Sequence, residues 1–331
     1  MTKHIPVRRL MLLTAALVGA ATLQTHALAQ SDYPNKPIKL IVGYSAGGPT
    51  DVLARVLGQE IGGTLGQSVI VDNKPGVNGN IATDFVQRAP ADGYTLLINT
   101  ISHNVNPLIQ PDRIKYDPVK DFTPISMIAV LPQVIVVAGD SPYKTLGDLV
   151  KKAQSAPSAV SYGTAGVGGS AHLAAALLEQ RSKTQMNHIP FKGNAPALTE
   201  VMSGRVDFMF YPMIGLTDFV TSGKIRILAA TTAKRHPDYP QVPTTAELGF
   251  PGFEDYAQPI GFIAPAGLPA PIAAKLDAAV IAALNKPAMQ ARLKSLGADV
   301  QHRGPADYRE WLIQDRARWA QLIKSANIKA E

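Results

Sequence analysis

Short apolar runs separated by stretches of helical periodicity make up the first part of the chain. The runs Ile38–Val42, Ser68–Asp72 and Thr95–Asn99 predict strands, and the sequence between them predicts helices through about Leu65 and over Ile81–Arg88. Glycine and proline turns mark each change of element. This strand–helix–strand–helix–strand order is typical of a parallel α/β sheet with right-handed crossovers.

The same alternation resumes after Thr100–Asp121, a polar and proline-punctuated stretch that predicts a long ordered connection. Further strands are predicted at Ile125–Ala129, Gln133–Ala138, Val160–Gly163, Asn187–Phe191, Val206–Tyr211, Ile225–Thr231 and Ile260–Ala264. Further helices are predicted at Leu146–Ala156, His172–Arg181, Asn194–Ser203, 212–220, Ile272–Leu284, Ala288–Leu296 and Ala306–Ala326. The proline-rich stretch His236–Glu254 predicts a loop.

The two blocks predict two similar, Rossmann-like α/β lobes. The first block has too few elements to close alone, so we expect the C-terminal helices to return to it. Lobe one then spans 31–130 plus 258–331 and lobe two spans 131–257, with strands crossing near Met127–Val136 and Pro259–Ala264. In this arrangement a ligand lies in the cleft, where glycine turns from both lobes face each other.

The first 29 residues have the pattern of a secretory signal peptide. Lys3, Arg8 and Arg9 form a basic start, Leu10–Leu23 is apolar, and Ala27-Leu28-Ala29 is a small-x-small cleavage site. The apolar run is short for a bilayer span, and no later stretch is long and apolar enough to span one. We therefore expect cleavage after Ala29, export to a bacterial periplasm, and a mature chain that does not span the membrane.

Composition narrows the possible partners. Charged residues make up 17% of the chain, the formal net charge is +7, and there is no cysteine. Because there is no lysine–arginine run or basic–aromatic stripe, a nucleic-acid partner is not expected, whereas a modest positive field favours an acidic small molecule. The seven histidines do not fall at metal-ligand spacing, and no Walker or dinucleotide fingerprint is present, so we predict no metal and no cofactor.

The segment Leu40–Arg55 joins a predicted strand to a predicted helix through a turn of small residues. Asp51 lies where an N-terminal cap or a first-turn acid belongs. Free N–H groups and the helix dipole make such a turn suitable for an anion. Taken alone, the segment is more typical of an ordinary structural βα turn.

A second glycine turn, Thr164–Ser170, follows the predicted strand Val160–Gly163 in the same way. The N–H groups of both turns, with the hydroxyls of Ser45, Thr50, Thr164 and Ser170, can hold carboxylate oxygens through short, charge-assisted hydrogen bonds. The pair of turns therefore favours a binding protein for an organic acid.

Other candidates follow strand ends and are expected at the rim of the same cleft. Thr100, Ser102 and His103 come after one strand, and Lys192 comes after another. Lys192 can neutralise an acid or be a solvated surface lysine. Tyr44 and Tyr211 can stack against a ligand or simply pack in the core.

A catalytic interpretation rests on Ser170 and His172, with Asp207 or Asp51 as the acid. Ser170, however, lies in Gly-Gly-Ser-Ala-His rather than in a G-x-S-x-G elbow. It is better explained as a helix cap, with His172 as a hydrogen-bonding residue of the first turn or the cleft. We therefore predict that the protein is not an enzyme.

A series of short motifs occurs in fixed order from Tyr33 to the C-terminus. They are Tyr33-Pro34-x-Lys36-Pro37-Ile38, Leu40–Arg55, Leu65-Gly66-Gln67, Asp72–Gly76, Pro90–Leu97, Tyr116-Asp117-Pro118-x-Lys120-Asp121-Phe122, Tyr162–Gly166 through His172-Leu173, His188–Gly193, Val242-Pro243-Thr244 and Ala264–Gly267. Together they resemble the extracytoplasmic solute receptors of tripartite tricarboxylate transporters, the Bug-type or TctC-like proteins.

The resemblance implies a two-lobed Venus-flytrap periplasmic binding protein. Such receptors deliver carboxylated solutes to a membrane permease made of a large and a small subunit, and we expect a monomer. A receptor of the same fold that signals to a membrane sensor kinase is the alternative, because the binding lobes would be the same.

Carried over by position, the resemblance places the ligand between Tyr44–Asp51 and Thr164–His172, flanked by Thr100–Asn104 and Lys192-Gly193. The predicted ligand contacts are Tyr44, Ser45, Ala46, Gly48, Thr50, Asp51, Thr100, Ser102, His103, Thr164, Ala165, Gly166, Gly168, Ser170, His172, Lys192 and Tyr211. Tyr211 stands where many relatives carry an aspartate, which argues against an amino acid and for an aromatic or plain carboxylic acid as the ligand.

Overall fold

The computed structural model describes residues 33–325 and residue 328. The predicted signal peptide, residues 1–29, lies outside the described residues. Within them, two sheets form the framework of an α/β fold.

The first sheet has six strands, and it is mixed rather than parallel. Its strands are β1 (Ile38–Val42), β2 (Val69–Asn73), β3 (Thr95–Asn99), β4 (Phe122–Leu131), β10 (Gln258–Pro265) and β11 (Asp299–Arg303). They lie in the order β11-β4-β10-β3-β1-β2. β1 is parallel to β2 and β3, whereas β10 is antiparallel to both β3 and β4. The chain leaves this sheet along β4 and returns along β10, so these two neighbours run in opposite directions.

The second sheet has five strands. They are β5 (Gln133–Ala138), β6 (Ser161–Thr164), β7 (Asn187–Pro190), β8 (Phe208–Pro212) and β9 (Ile225–Ala230), in the order β7-β6-β8-β5-β9. β6 is parallel to β7 and β8, and β5 is antiparallel to β8 and β9. The carboxyl ends of β6, β7 and β8 therefore meet at one edge of this sheet.

Helices cover the faces of both sheets. They are α1 (Pro49–Leu65), α2 (Asn80–Gln87), α3 (Ser102–Ile109), α4 (Leu146–Ala153), α5 (Ser170–Ser182), α6 (Asn194–Met202), α7 (Thr217–Thr221), α8 (Ala270–Leu284), α9 (Pro287–Ser295) and α10 (Pro305–Ser325). Short 3₁₀ turns lie at Val77–Gly79 and Glu254–Tyr256. None of the helices within 33–325 is long and apolar enough to cross a bilayer.

Two connections join the sheets. β4 continues into β5 through Pro132, at the place where the sequence predicts a crossing. The return lies just before β10 rather than within Pro259–Ala264, because β10 is paired with β4 from Gln258 onward. The connection from the first sheet to the second is thus a single residue, Pro132.

Two elements differ from the sequence prediction. The stretch Thr100–Asp121 contains helix α3, whose polar side chains and internal Pro107 hide the helical pattern. The strand β11 lies at a sheet edge, and all five of its residues are exposed, so it carries no apolar alternation. Contacts with distant parts of the chain stabilise both elements: α3 bonds to α10 through Asn104, and β11 pairs with β4. Neither element has a hydrophobic pattern that would predict it.

One apolar cluster crosses the predicted lobe boundary. Val105 and Ile109 of α3, and Trp319 of α10, pack with Phe208 and Phe210 of the second sheet. A sequence-based division at residues 130 and 258 assigns these side chains to different lobes. The core therefore extends across the junction on this side of the molecule.

Candidate ligand-binding site

The turn between β1 and α1 leaves the first N–H groups of α1 without intrahelical acceptors. The cap position is Gly48, which has no side chain, and Pro49 follows it. Since proline has no N–H, the free donors of this 17-residue helix are those of Thr50 and Asp51. Asp51 lies in the first turn of α1 rather than at its cap.

Helix α5 begins in the same way. Its cap is Gly169, preceded by Gly168 in a left-handed conformation with φ of 82°, and no side chain caps the helix. The prediction that Ser170 is the cap is therefore wrong, because Ser170 is already the first helical residue. Its hydroxyl instead donates to Gln258 Oε1 at 3.3 Å.

A third helix, α6, starts from Gly193 and also has no side-chain cap. Gly193 has φ of 147°, and a Cβ at this position would lie 2.9 Å from the backbone nitrogen of Ser45. A larger residue therefore cannot occupy this site without moving the β1–α1 turn. The sequence pattern predicts Asn194 only as the start of a helix.

These three helix N-termini meet across the junction between the sheets. Ser45 donates both its N–H and its hydroxyl to the carbonyl of Lys192, at 3.1 and 2.7 Å. A Cβ at Gly48 would lie 3.7 Å from the backbone nitrogen of Ala195, so the starts of α1 and α6 face each other. Each N-terminus carries partial positive charge, and together they favour a negatively charged group.

Gln258, at the start of β10, connects the N-termini of α1 and α5. Its Nε2 donates to Thr50 Oγ1 at 3.1 Å, while its Oε1 accepts from the Ser170 hydroxyl. Two predicted site hydroxyls are thus joined by a buried glutamine that the sequence analysis did not identify. The amide fixes both hydroxyls beside the helix starts.

Asn78 is a second residue that the sequence analysis missed. Its Nδ2 donates to the carbonyl of Val167 at 2.8 Å and to Asn106 Oδ1 at 3.0 Å. A Cβ at Gly166 would approach the Asn78 Cβ to 3.0 Å, so the second glycine turn lies directly against it. Asn78 has positive φ, as Val77 does.

The predicted residues Tyr44, Thr100 and Ser102 form a hydrogen-bonded cluster behind Asn78. The Tyr44 hydroxyl lies 2.6 Å from Ser102 Oγ and 2.9 Å from Thr100 Oγ1. Ser102 in turn donates to Asn78 Oδ1 at 3.1 Å. Burial raises the pKa of Tyr44, so its hydroxyl stays protonated and bonded within this cluster.

His103 does not rim the junction, contrary to the sequence prediction. Its ring is stacked on Tyr116 and meets Phe122 edge-on, and its Nε2 lies 2.9 Å from the carbonyl of Pro118. Burial lowers the pKa of His103 to about 4. His103 is therefore a neutral core residue at pH 7.

The carboxylate of Asp51 is bound by its neighbours. It accepts from Arg55 at 2.9 and 3.0 Å, from the N–H of Gly47 at 2.9 Å and from Asn73 at 2.9 Å. Burial alone would raise the pKa of Asp51, but these hydrogen bonds outweigh it and hold the pKa below its usual value. Asp51 shapes the β1–α1 turn.

Thr164 and His172 shape the second glycine turn. Thr164 Oγ1 accepts from the N–H of Gly166 at 3.1 Å and lies 2.7 Å from His188 Nε2. His172 Nδ1 accepts from the N–H of Gly168 at 3.2 Å. Ala165, which follows Thr164, is buried, whereas Ala46 of the first turn is exposed.

The structure does not assemble a catalytic triad from the residues considered for one. Ser170 pairs with Gln258, and Asp51 pairs with Arg55. Asp207 accepts from the N–H and hydroxyl of Ser161, both at 2.7 Å. Within the described residues no group of three potential metal ligands is found.

A cavity of about 670 Å³ opens beside the Ser45–Lys192 contact, with walls from both sheets. Asn78 and Arg113 line one side, and Gly166 and Lys192 line the other. Among the described residues that line it, two are cations and none is acidic. The cavity is thus suited to an anionic small molecule.

Tyr211 lies at the carboxyl end of β8 and is 3% exposed. It belongs to the apolar cluster that includes Ala197 and Leu198 of α6. Within the described residues its hydroxyl has no hydrogen-bond partner, and burial raises its pKa.

Two α/β sheets joined by adjacent strands, with helix N-termini facing across the junction, define a two-lobed binding protein of the periplasmic type. The chain belongs to the tripartite tricarboxylate transporter receptor family (TctC), whose sequence profile matches residues 53–328. This is a family of receptors rather than enzymes, in agreement with the sequence prediction.

Individual relatives agree with this membership. Protein BugT of Bordetella pertussis is 32% identical over 332 residues, which cover 99% of each chain. The periplasmic binding protein BugD is 34% identical with a TM-score of 0.86, covering 90% of this chain and 100% of that one. An R. palustris protein solved with adipate is 34% identical with a TM-score of 0.85, covering 90% and 99%. MatC from Rhodopseudomonas palustris with bound malate is 31% identical with a TM-score of 0.83, covering 88% and 100%.

The structural role of Asp51 predicts a pH-dependent stability. We expect Asp51→Asn to lower the free energy of unfolding by about 1–2 kcal/mol at pH 7, because hydrogen bonds to a charged group are lost. The effect is not larger because Arg55 is half exposed and solvent weakens its ion pair with Asp51. Because the folded pKa of Asp51 is depressed, the wild-type advantage is full above about pH 4 and disappears as pH falls through the folded pKa. Urea unfolding at pH 7, 5 and 3 measures this.

Asp112→Asn is the control, because Asp112 is exposed and makes no ion pair with any of the described residues. A wild-type advantage over Asp51→Asn that stays constant down to pH 3 would contradict the assignment.

Proposed function

We propose that the protein is a periplasmic receptor that binds an organic carboxylate between two lobes and delivers it to the permease of a tripartite tricarboxylate transporter. The observation that carries this proposal is the meeting of three glycine-started helix N-termini across the junction of the sheets. Family membership and the basic cavity support it.

The chemistry of the junction fits a carboxylate. Backbone N–H groups at the starts of α1, α5 and α6 are donors fixed in direction, and they bind anions without a full charge in the site. The hydroxyls of Thr50 and Ser170 lie beside these donors. Lys192, with Arg113 on the opposite wall, raises the potential at the mouth.

We assign the predicted residues two kinds of role on this basis. Direct ligand contacts are proposed for the turns and helix starts, namely Ser45, Gly48, Thr50, Gly166, Gly168, Ser170 and Lys192. Tyr44, Asp51, Thr100, Ser102, Thr164 and His172 hold these turns through the hydrogen bonds described above.

We also propose how the chain divides into lobes. Residues 31–130 plus 258–331 form one lobe, residues 131–257 form the other, and the protein is a monomer. Ligand binding brings the lobes together, and the Ser45–Lys192 and Asn78–Val167 hydrogen bonds hold them in that position. Since one solved relative carries adipate and another malate, an aliphatic acid is the ligand class we propose.

A thermal-shift series tests the ligand class. We expect an aliphatic mono- or dicarboxylate to raise the melting temperature, since a ligand that binds the folded state stabilises it. Ser170→Ala should weaken that binding by roughly 1–3 kcal/mol if its hydroxyl contacts the charged group. Ser203→Ala, an exposed change, is the control. A shift produced by sugars or amines and by no carboxylate would refute the anion site.

Export is tested by the mass of the mature chain. We propose cleavage after Ala29, so protein recovered from a periplasmic extract should begin at Gln30. Intact-mass measurement of that fraction gives the result directly. Recovery of the uncleaved chain in the membrane fraction would show an anchor instead.

Delivery to a permease is tested in cells. Deletion of the gene should abolish uptake of the bound carboxylate, and the wild-type gene should restore it. Normal uptake in the deletion strain, together with lost transcriptional induction by the carboxylate, would show a signalling receptor rather than a transport receptor.

A further inference from the structure

Asn194 lies between two contacts that join the sheets. On one side of it, Gly193 is pressed against the backbone of Ser45, and on the other, the N–H of Ala195 faces Gly48. As the first residue of α6, Asn194 is therefore held at the point where two helix N-termini face each other.

The side chain of Asn194 is buried without a hydrogen-bond partner. The residue is 6% exposed, and its Oδ1 has no donor within the described part of the chain. Buried amide oxygens in folded proteins nearly always accept a hydrogen bond, because leaving one unmade destabilises the fold. A buried acceptor at a ligand site is satisfied when the ligand supplies the donor.

The sequence of α6 shows which way this residue faces. The buried positions are Asn194, Ala197, Leu198 and Val201. Residues three and four apart lie on one face of a helix, so Asn194 continues the sheet-facing side by one turn. That turn is the end of α6 nearest to the junction.

Tyr211 belongs to the same group of side chains. It belongs to the apolar cluster that includes Ala197 and Leu198, and it lies at the carboxyl end of β8, the edge from which α6 starts. Its hydroxyl makes no hydrogen bond to the described residues, but unlike the Asn194 oxygen it is not fully buried. One edge of the second sheet thus holds the buried, unpartnered amide oxygen of Asn194 and the phenol of Tyr211.

A small acid can offer the Asn194 oxygen either an ammonium group or a hydroxyl group as hydrogen-bond donor. The charges around Asn194 favour the hydroxyl group. An ammonium group would add positive charge beside helix N-termini and Lys192, and no acidic side chain lines the adjoining cavity among the described residues. The carboxylate of Asp51, at the facing helix, is already engaged by Arg55 and Asn73. A neutral hydroxyl group meets the amide oxygen without this repulsion.

We propose that Asn194, with Tyr211 at the same edge of the second sheet, makes the receptor select carboxylates that carry a hydroxyl group next to the carboxylate. The helix N-termini bind the charge, and the Asn194 oxygen accepts from the hydroxyl. Asn194 is thus a specificity-determining residue of the site, and this inference rests on the proposed function.

Calorimetric titration with matched acids tests the inference. The probes are malate against succinate and lactate against propionate, which differ only in the hydroxyl group. The wild-type protein should bind the hydroxylated member of a pair about three- to tenfold more tightly, the effect of one net hydrogen bond. In Asn194→Ala that ratio should fall to about one, and in Tyr211→Phe it should fall in part.

Asn285→Ala is the matched control, because Asn285 is an exposed asparagine at the end of α8. It should keep the wild-type ratio. The melting temperature of Asn194→Ala without ligand should equal or exceed that of the wild type, since no protein hydrogen bond is removed. A fall of several degrees would assign Asn194 to the fold and overturn the inference.

The two proposals can fail separately. Equal affinities within both pairs, or a ratio that survives in Asn194→Ala, overturn the role of Asn194 and leave the carboxylate receptor standing. If none of the four acids binds the wild-type protein, both the inference and the proposed ligand class are wrong.

Discussion

The site depends on backbone N–H groups that helix geometry leaves without acceptors. Every helix has such donors at its start, and most proteins satisfy them with a capping side chain. In α1, α5 and α6 the cap is glycine, which offers none. Glycine also permits the close approach of Ser45 to Gly193. Gly193 therefore has two effects: it leaves the first N–H groups of α6 uncapped, and it lets the start of α6 approach the β1–α1 turn.

A second set of polar residues keeps these turns in place. The Tyr44 hydroxyl cluster positions Asn78, the Asp51–Arg55 pair fixes the first turn, and Thr164 fixes the second. These side chains have the chemistry of ligand contacts, which is why the sequence suggested them. In the folded protein they form hydrogen bonds with one another and with the backbone of the turns. The proposed binding by bare N–H groups depends on turns that are held in this way.

The junction combines a polar side with an apolar one. Ser45, Asn78 and Gln258 make hydrogen bonds between the sheets, whereas Trp319 and helix α3 extend the second sheet's core beneath the first. When the junction opens, hydrogen bonds between polar groups can be replaced by hydrogen bonds to water, whereas separating buried aromatic side chains exposes apolar surface. Relative movement of the sheets is therefore expected at the glycine turns, with the Trp319 cluster as the fixed side.

The sequence by itself determined the alternation of strands and helices and the two glycine turns, because periodicity and turn chemistry are local properties. The series of motifs in fixed order also indicated the family to which the chain belongs. Only the tertiary structure decided that His103 is a core residue, that Ser170 contacts Gln258, and that Asn78 and Asn194 lie at the junction. Helix α3 and strand β11 were missed for the same reason. Each of these depends on partners distant in the chain, and a polar residue shows no local sign of whether water or a remote side chain will satisfy it.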